Sequence, residues 1–336
     1  MKKLFLLASL LTGLLTGCQS PKSESAHASG YLLVANKGNH TLSIIDPVTG
    51  QQLTAVDEEG VTGHEVVASA DGRWAFVPIF GNAGVGRPGT DGSVIRVIDL
   101  VDGQIADTID FQRGVRPHCA VLGPKNGLLY VTIELENAIA VIDPQTLQIL
   151  GNIPTGQPES HMLAITSDGK RGYTSNVGPG TVSVLDLEER KVLTIIPVGG
   201  HAQRIALSVD DQWAFTADQT QPRLAVISTR TNGIAQWLEL PGIGYGTAPT
   251  PDGRWLIVAL PRINQVGVID LATMKVVRTL AVPATPQEVL VRPDGAEAYV
   301  SCDASGKVAA IDLKNWNVRV IAAGPGADGL AWAKRD

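Results

Sequence analysis

The residues of this chain best suited to chemistry are its histidines. There are six, and three of them, His64, His118 and His161, head the same short apolar run in a recurring segment (His64-Glu-Val-Val-Ala, His118-Cys-Ala-Val-Leu, His161-Met-Leu-Ala-Ile). The matching positions elsewhere are Gln203, Tyr245, Gln287 and Asp328. If the units close into a ring, four neighbours in a row offer one carboxylate and three imidazoles. That is a ligand set for Zn, Cu, Fe or Ni, and an imidazole could also serve a non-covalent tetrapyrrole as axial ligand or proton donor. His64, His118, His161 and Asp328 are therefore candidate metal ligands. Arg116, Glu65, Glu159, Arg204, Tyr245 and Glu288 stand at or beside the same positions, as candidates for holding a polar or anionic ligand. The plainer alternative is that the imidazoles bond inner-strand backbone and the charges pair with one another.

Familiar catalytic spacings are missing. His64-Glu65 is followed by Val-Val-Ala, so no second histidine completes a metalloprotease motif, and neither Cys-x-x-Cys-His nor Gly-x-Ser-x-Gly occurs. The chain is expected to be non-enzymatic. Cys119 and Cys302 fall in units far apart around a ring and are expected as free thiols, with Cys119 a packing residue rather than a soft ligand.

What would position these groups is a repeat. A run ending in Ile/Leu-Asp recurs as LSIID, IRVID, IAVID, VSVLD, LAVIS, VGVID and VAAID, closing at Asp46, Asp99, Asp143, Asp186, Ser228, Asp270 and Asp312. A second landmark, Asp-Gly before an apolar run, keeps the same phase at Asp71, Asp168, Asp252 and Asp294. Each unit holds four alternating, β-branched runs parted by Gly, Pro, Asn or Asp, as in HMLAIT, GYTSN, TVSVLD and KVLTII. Alternation argues strand, and four strands per 42–44 residues is a propeller period. The expected fold is an all-β, seven-bladed β-propeller of four-stranded antiparallel blades over residues 31–336. The chain enters on a second strand at Tyr31 and ends on a lone first strand, Asp328 to Ala333, which should complete blade I and close the ring.

The repeat, with TSNVGPGTVSVLDLEERKVLTIIPVGG as its best copy, resembles the YVTN-type (YncE-like) seven-bladed propellers. More distantly it resembles the haem-bearing propeller of cytochrome cd-type nitrite reductases. The first resemblance implies a binding or scaffold module; the second implies a tetrapyrrole at the channel-mouth histidines. A third class, a lactonase-like hydrolase, would need a metal at the mouth with Asp328, Glu65, Glu159 and Glu288 as its available carboxylates.

Strand order assigns every loop to one end of the channel. His40, His64, His118, His161 and His201 all fall at the upper end, where loops join strands two to three and four to one. The first of the repeat spacings is 53 residues because of an insertion, Gly81–Gly92, in the unit that carries His64. This glycine-rich loop is placed to close over a ligand, or is drift in a tolerant turn. Trp74, Trp213 and Trp255 share one position near the lower end and are expected to pack between blades. The repeated terminal aspartate is expected to bond the backbone of the turn after it.

The address is written at the N-terminus. Two lysines, an apolar run from Leu4 to Leu15 and small residues make residues 1–17 a secretory signal, and Leu15-Thr16-Gly17-Cys18 resembles a bacterial lipobox. The resemblance implies lipidation of Cys18 and a membrane partner through the lipid. Gln19, rather than Asp, implies the outer membrane facing the periplasm. Residues 18–30 form a tether. With 27 basic against 33 acidic residues and a net charge of −6, the chain is unsuited to nucleic acid; a periplasmic protein or a small ligand is the expected partner.

Overall fold

The computed structural model describes residues 30–335. The signal segment 1–17, Cys18 and nearly all of the tether lie outside the described residues. Among the described residues, no helix is long and apolar enough to cross a membrane.

Seven four-stranded antiparallel sheets form the propeller. Blade I is made of Gly30–Asn36, Thr41–Ile45 and Gln52–Asp57, completed by Ala327–Lys334 on its first-strand side. The ring is therefore closed by the C-terminal strand, as the sequence order requires, with the first described strand starting one residue before Tyr31. The other blades run in sequence order: II spans Val67–Asp110, III Pro117–Pro154, IV Ser160–Pro197, V Ala206–Glu239, VI Thr247–Ala281 and VII Pro286–Ala322.

Second and third strands are buried almost throughout, whereas fourth strands alternate toward solvent, as in Gln148–Pro154 and Lys275–Ala281. Apolar side chains meet between the faces of neighbouring blades: Ile139, Val141 and Ile153 of blade III pack with Met162, Tyr173 and Val184 of blade IV. Full burial of one such aliphatic side chain contributes about 1.5–3 kcal/mol. The three repeat tryptophans do join these inter-blade contacts; Trp255 meets Trp316 of blade VII edge-on at 5.7 Å.

The terminal aspartates act as expected. Asp270 accepts from the backbone N–H groups of Ala272 and Thr273 at 2.9 and 3.0 Å, and Asp46, Asp99, Asp143 and Asp312 repeat the arrangement. The Ser228 hydroxyl accepts only one such bond, at 3.4 Å.

First strands are irregular, and this irregularity builds the upper mouth. In blades I, III, IV and VII the pairing of first and second strands slips at the mouth position, skipping Asp328, His118, His161 and Gln287. In blades II and V the pairing there reduces to single bridges, Gly63 to Ile79 and Ala202 to Asp218. Such bulges twist a strand and re-aim its side chains.

Candidate functional site

The mouth residues leave the ladder, so their backbone needs other partners, and the preceding blade supplies them. The carbonyls of His161 and Gln203 accept from the hydroxyls of Thr132 and Ser175, at 2.8 and 2.7 Å. The carbonyls of His64 and Gln287 accept from the N–H groups of Gly329 and Gly246, at 2.9 and 3.1 Å. Glycine is required at both places: a Cβ on Gly246 would lie 2.2 Å from the Gln287 oxygen, and one on Gly329 would lie 2.5 Å from that of His64.

Eight of the ten propeller residues singled out from sequence come together here. His118 and His161 stack, with ring centroids 3.8 Å apart and planes 29° apart; His64 stands 5.4 Å from His118. Phe80 packs edge-on against both His64 and His118 at 5.2 Å. The His64 Nδ1 lies 3.6 Å from Asp328, which also pairs with Lys37 at 3.2 Å. From the opposite side Arg204 reaches across the axis to Glu65 at 2.7 Å, Asp328 at 3.2 Å and Glu288 at 3.6 Å, with its guanidinium over the Tyr245 ring. One arginine of blade V thus meets carboxylates of blades I, II and VII.

Burial sets the electrostatics. His118 and His161 are 2 and 4 % exposed. Burial first, with neighbouring cationic groups reinforcing it, pushes the His118 pKa far down and that of His161 to about 3, so both rings are neutral at pH 7. Burial disfavours the charge on Arg204, but its three carboxylates outweigh that and hold the charge firmly. Burial raises the Glu65 carboxyl well above its ordinary range, against the pull of Arg204. Asp328 goes the other way: His64, Arg204 and Lys37 together overcome burial and keep it ionised.

Three of the carboxylates expected near a ligand, Glu65, Asp328 and Glu288, thus face Arg204. What remains unmatched is specific. Arg204 Nε, His118 Nδ1 and His161 Nδ1 are buried without a hydrogen-bond partner among the described residues, while Arg204 Nη1 has only the Glu288 carboxylate, beyond hydrogen-bond distance at 3.6 Å. A buried polar group of this kind costs about 1–3 kcal/mol when left unsatisfied.

The metal reading fares differently from the convergence itself. A metal bound by imidazole lies in the ring plane, on the nitrogen lone pair. Stacked rings direct their lone pairs side by side rather than to one point, so His118 and His161 do not fit around a common ion. Among the described residues no three His, Cys, Asp or Glu side chains are grouped to hold one.

Arg116 and Glu159 stand apart from the cluster. Arg116 fastens the Gly81–Gly92 insertion, donating to Asp91 at 2.6 Å and to the Arg87 carbonyl at 2.7 Å while pairing with Glu134 at 2.8 Å. Glu134 in turn accepts from the Gly86 N–H at 3.1 Å, and Glu159 accepts from the Gly178 N–H at 2.6 Å. The insertion is therefore pinned to blade III, not hung as a free flap. Sequence reasoning missed Lys37 and Phe80; both end or follow second strands, and only the packing of neighbouring blades brings them to the mouth. Cys119 and Cys302 are free and buried, and burial raises both thiols to about 12, far from the reactive range.

No protein-family model and no curated protein sequence matches this chain. Its fold is similar to that of a solved chain of Kuenenia stuttgartiensis hydrazine synthase, at a TM-score of 0.69 and 19% identity over 87% of this chain and 92% of that one. At that identity the likeness concerns the propeller fold alone.

Proposed function

We propose that this protein is a non-enzymatic binding module of the YVTN (YncE-like) type, carried as a lipoprotein on the periplasmic side of the outer membrane. Its ligand is a small polar molecule, or the polar tip of a partner protein, taken at the upper mouth of the channel. The observation that carries this reading is the set of buried, unmatched hydrogen-bonding atoms of Arg204, His118 and His161, gathered on a rigid ring. Arg204 and the neutral imidazoles offer a directional polar surface, while the three carboxylates balance the arginine so that no strong anion is needed to complete it.

Native mass spectrometry of protein extracted from its own membranes tests the site. A bound mass present on the wild type and lost in both His118→Ala and His161→Ala supports the reading; identical spectra for folded variants and wild type overturn it. The anchor is checked separately, since Cys18→Ala should move the protein from the membrane to the soluble periplasmic fraction.

A tetrapyrrole seated on the mouth is the second reading. His64, half-buried beside Asp328, is the one of the three rings placed to meet it, and a Soret band lost on His64→Ala would replace the first reading by this one. The lactonase-like alternative is disfavoured by the pairing of Glu65, Glu288 and Asp328 with Arg204.

A further inference from the structure

We infer that the cleft between blades II and III, at the end of the propeller away from the histidines, is a second binding site, for a small organic cation with an apolar body. The cleft has a volume of about 740 Å³, within the ordinary range for small-molecule sites.

It opens where the chain departs from its own repeat. In blades II, IV, V, VI and VII the residue after the terminal Asp or Ser donates its N–H to the turn between strands one and two: Leu100 to Arg73, Leu187 to Lys170, Thr229 to Gln212, Leu271 to Arg254 and Leu313 to Ala296. Blades I and III have Pro47 and Pro144 at that place, with no N–H to give, and of the two only blade III has a continuous turn between strands one and two, since the first strand of blade I comes from the C-terminus. The side chain facing the repeat tryptophan is also smaller. Trp255 meets Trp316 edge-on, whereas the cleft lined by Trp74 has Leu147 at the position of Trp316. An unfastened turn and a smaller side chain leave the space open.

Its chemistry is one-sided. Trp74, Phe76, Leu122 and Leu147 supply an apolar wall, and Asp71 and Asp107 stand on the blade II side. No lysine, arginine or histidine lines it. Arg73 stacks over Trp74 at 4.7 Å but is paired with Asp99 at 3.0 Å. The Asp71 carboxylate accepts from Ser69 Oγ and the Arg73 N–H, bonds that favour its ionised form. An aromatic wall beside two carboxylates suits a cation that carries apolar surface.

Titration of the folded protein with benzyltrimethylammonium, followed by ligand-observed NMR, tests this. Binding is expected to saturate below about 10 mM and to weaken at least tenfold in Leu147→Trp, a loss of about 1.4 kcal/mol. That variant copies blade VII, where Trp316 shares the left-handed backbone of Leu147 (φ 67° and 60°). Ala106→Arg, on an exposed lining position, provides an independent variant that places a positive charge at the rim and should weaken binding to the same degree. Phenylacetate, of opposite charge, should not bind. No saturable binding, equal binding to the folded variants, or equal binding of phenylacetate would each overturn the assignment.

Discussion

Arg204 is the residue on which the upper mouth depends. Its guanidinium is 5 % exposed and faces carboxylates from three blades. Arg204→Met keeps much of the volume and removes the guanidinium paired with Glu65, so the acids are left buried against one another. A loss of roughly 3–5 kcal/mol in urea unfolding at pH 7 is expected, partly recovered at lower pH as the acids take up protons. Glu58 carries a separate pH effect. It is fully buried, and burial, reinforced by Asp57 and opposed by the Gly63 N–H at 2.8 Å, raises its carboxyl from 4.5 to about 7. Below pH 4.5 folded and unfolded chains both hold this proton. Between about 4.5 and 7 only the folded chain keeps it, so this group lowers stability as pH rises through that window. The penalty is on the order of 3 kcal/mol by linkage. Denaturant titrations across that range should show a shallower fall for Glu58→Gln than for the wild type.

At the scale of the element, the turn after strand three and the bulge at strand one do different work. The turn is generic: Asp270 serves the turn alone, so Asp270→Ala should cost about 1 kcal/mol per lost bond and leave the mouth unchanged. The mirror experiment is Ser228→Asp, which should stabilise by a few tenths to about 1 kcal/mol, because Ser228 makes only one long bond where Asp270 makes two short ones. The bulge is specific. Gly246→Ala puts a methyl against the Gln287 carbonyl of the next blade, and blades VI and VII must separate at the mouth. Destabilisation of about 2 kcal/mol or more is expected, with increased hydrogen exchange at the first strands of those two blades rather than at blade III.

For the whole molecule, closure is the governing fact. The last strand, Ala327–Lys334, pairs with Gly30–Asn36 over most of its length and carries Asp328 into the mouth. Removing residues 327–336 would expose the edge of the blade I strand and unseat Arg204 in one step. The truncated chain should lose cooperative unfolding and associate through the open edge, seen by size-exclusion chromatography. A truncated chain that stays monomeric and unfolds in one transition would show that closure matters less than inter-blade packing.

Much of this was legible without coordinates, because a repeat records its own architecture. Six phased aspartates and one serine, alternating runs and a split first blade determined the propeller, its closure and the end to which the histidines belong. Alternation with period two leaves little choice of face, and a four-stranded unit cannot bury both its faces alone. The tertiary structure decided which mouth residues are partners and which are free. Arg204 and Asp328 are 124 positions apart, and no spacing announces that one crosses the axis to the other. Nor does sequence reveal that His118 and His161 stack instead of aiming at a shared point, or that Arg116 turns from ligand candidate to fastener of the insertion. Those outcomes depend on side-chain direction at bulged positions, which local pattern does not encode and the packing of seven blades around one axis does.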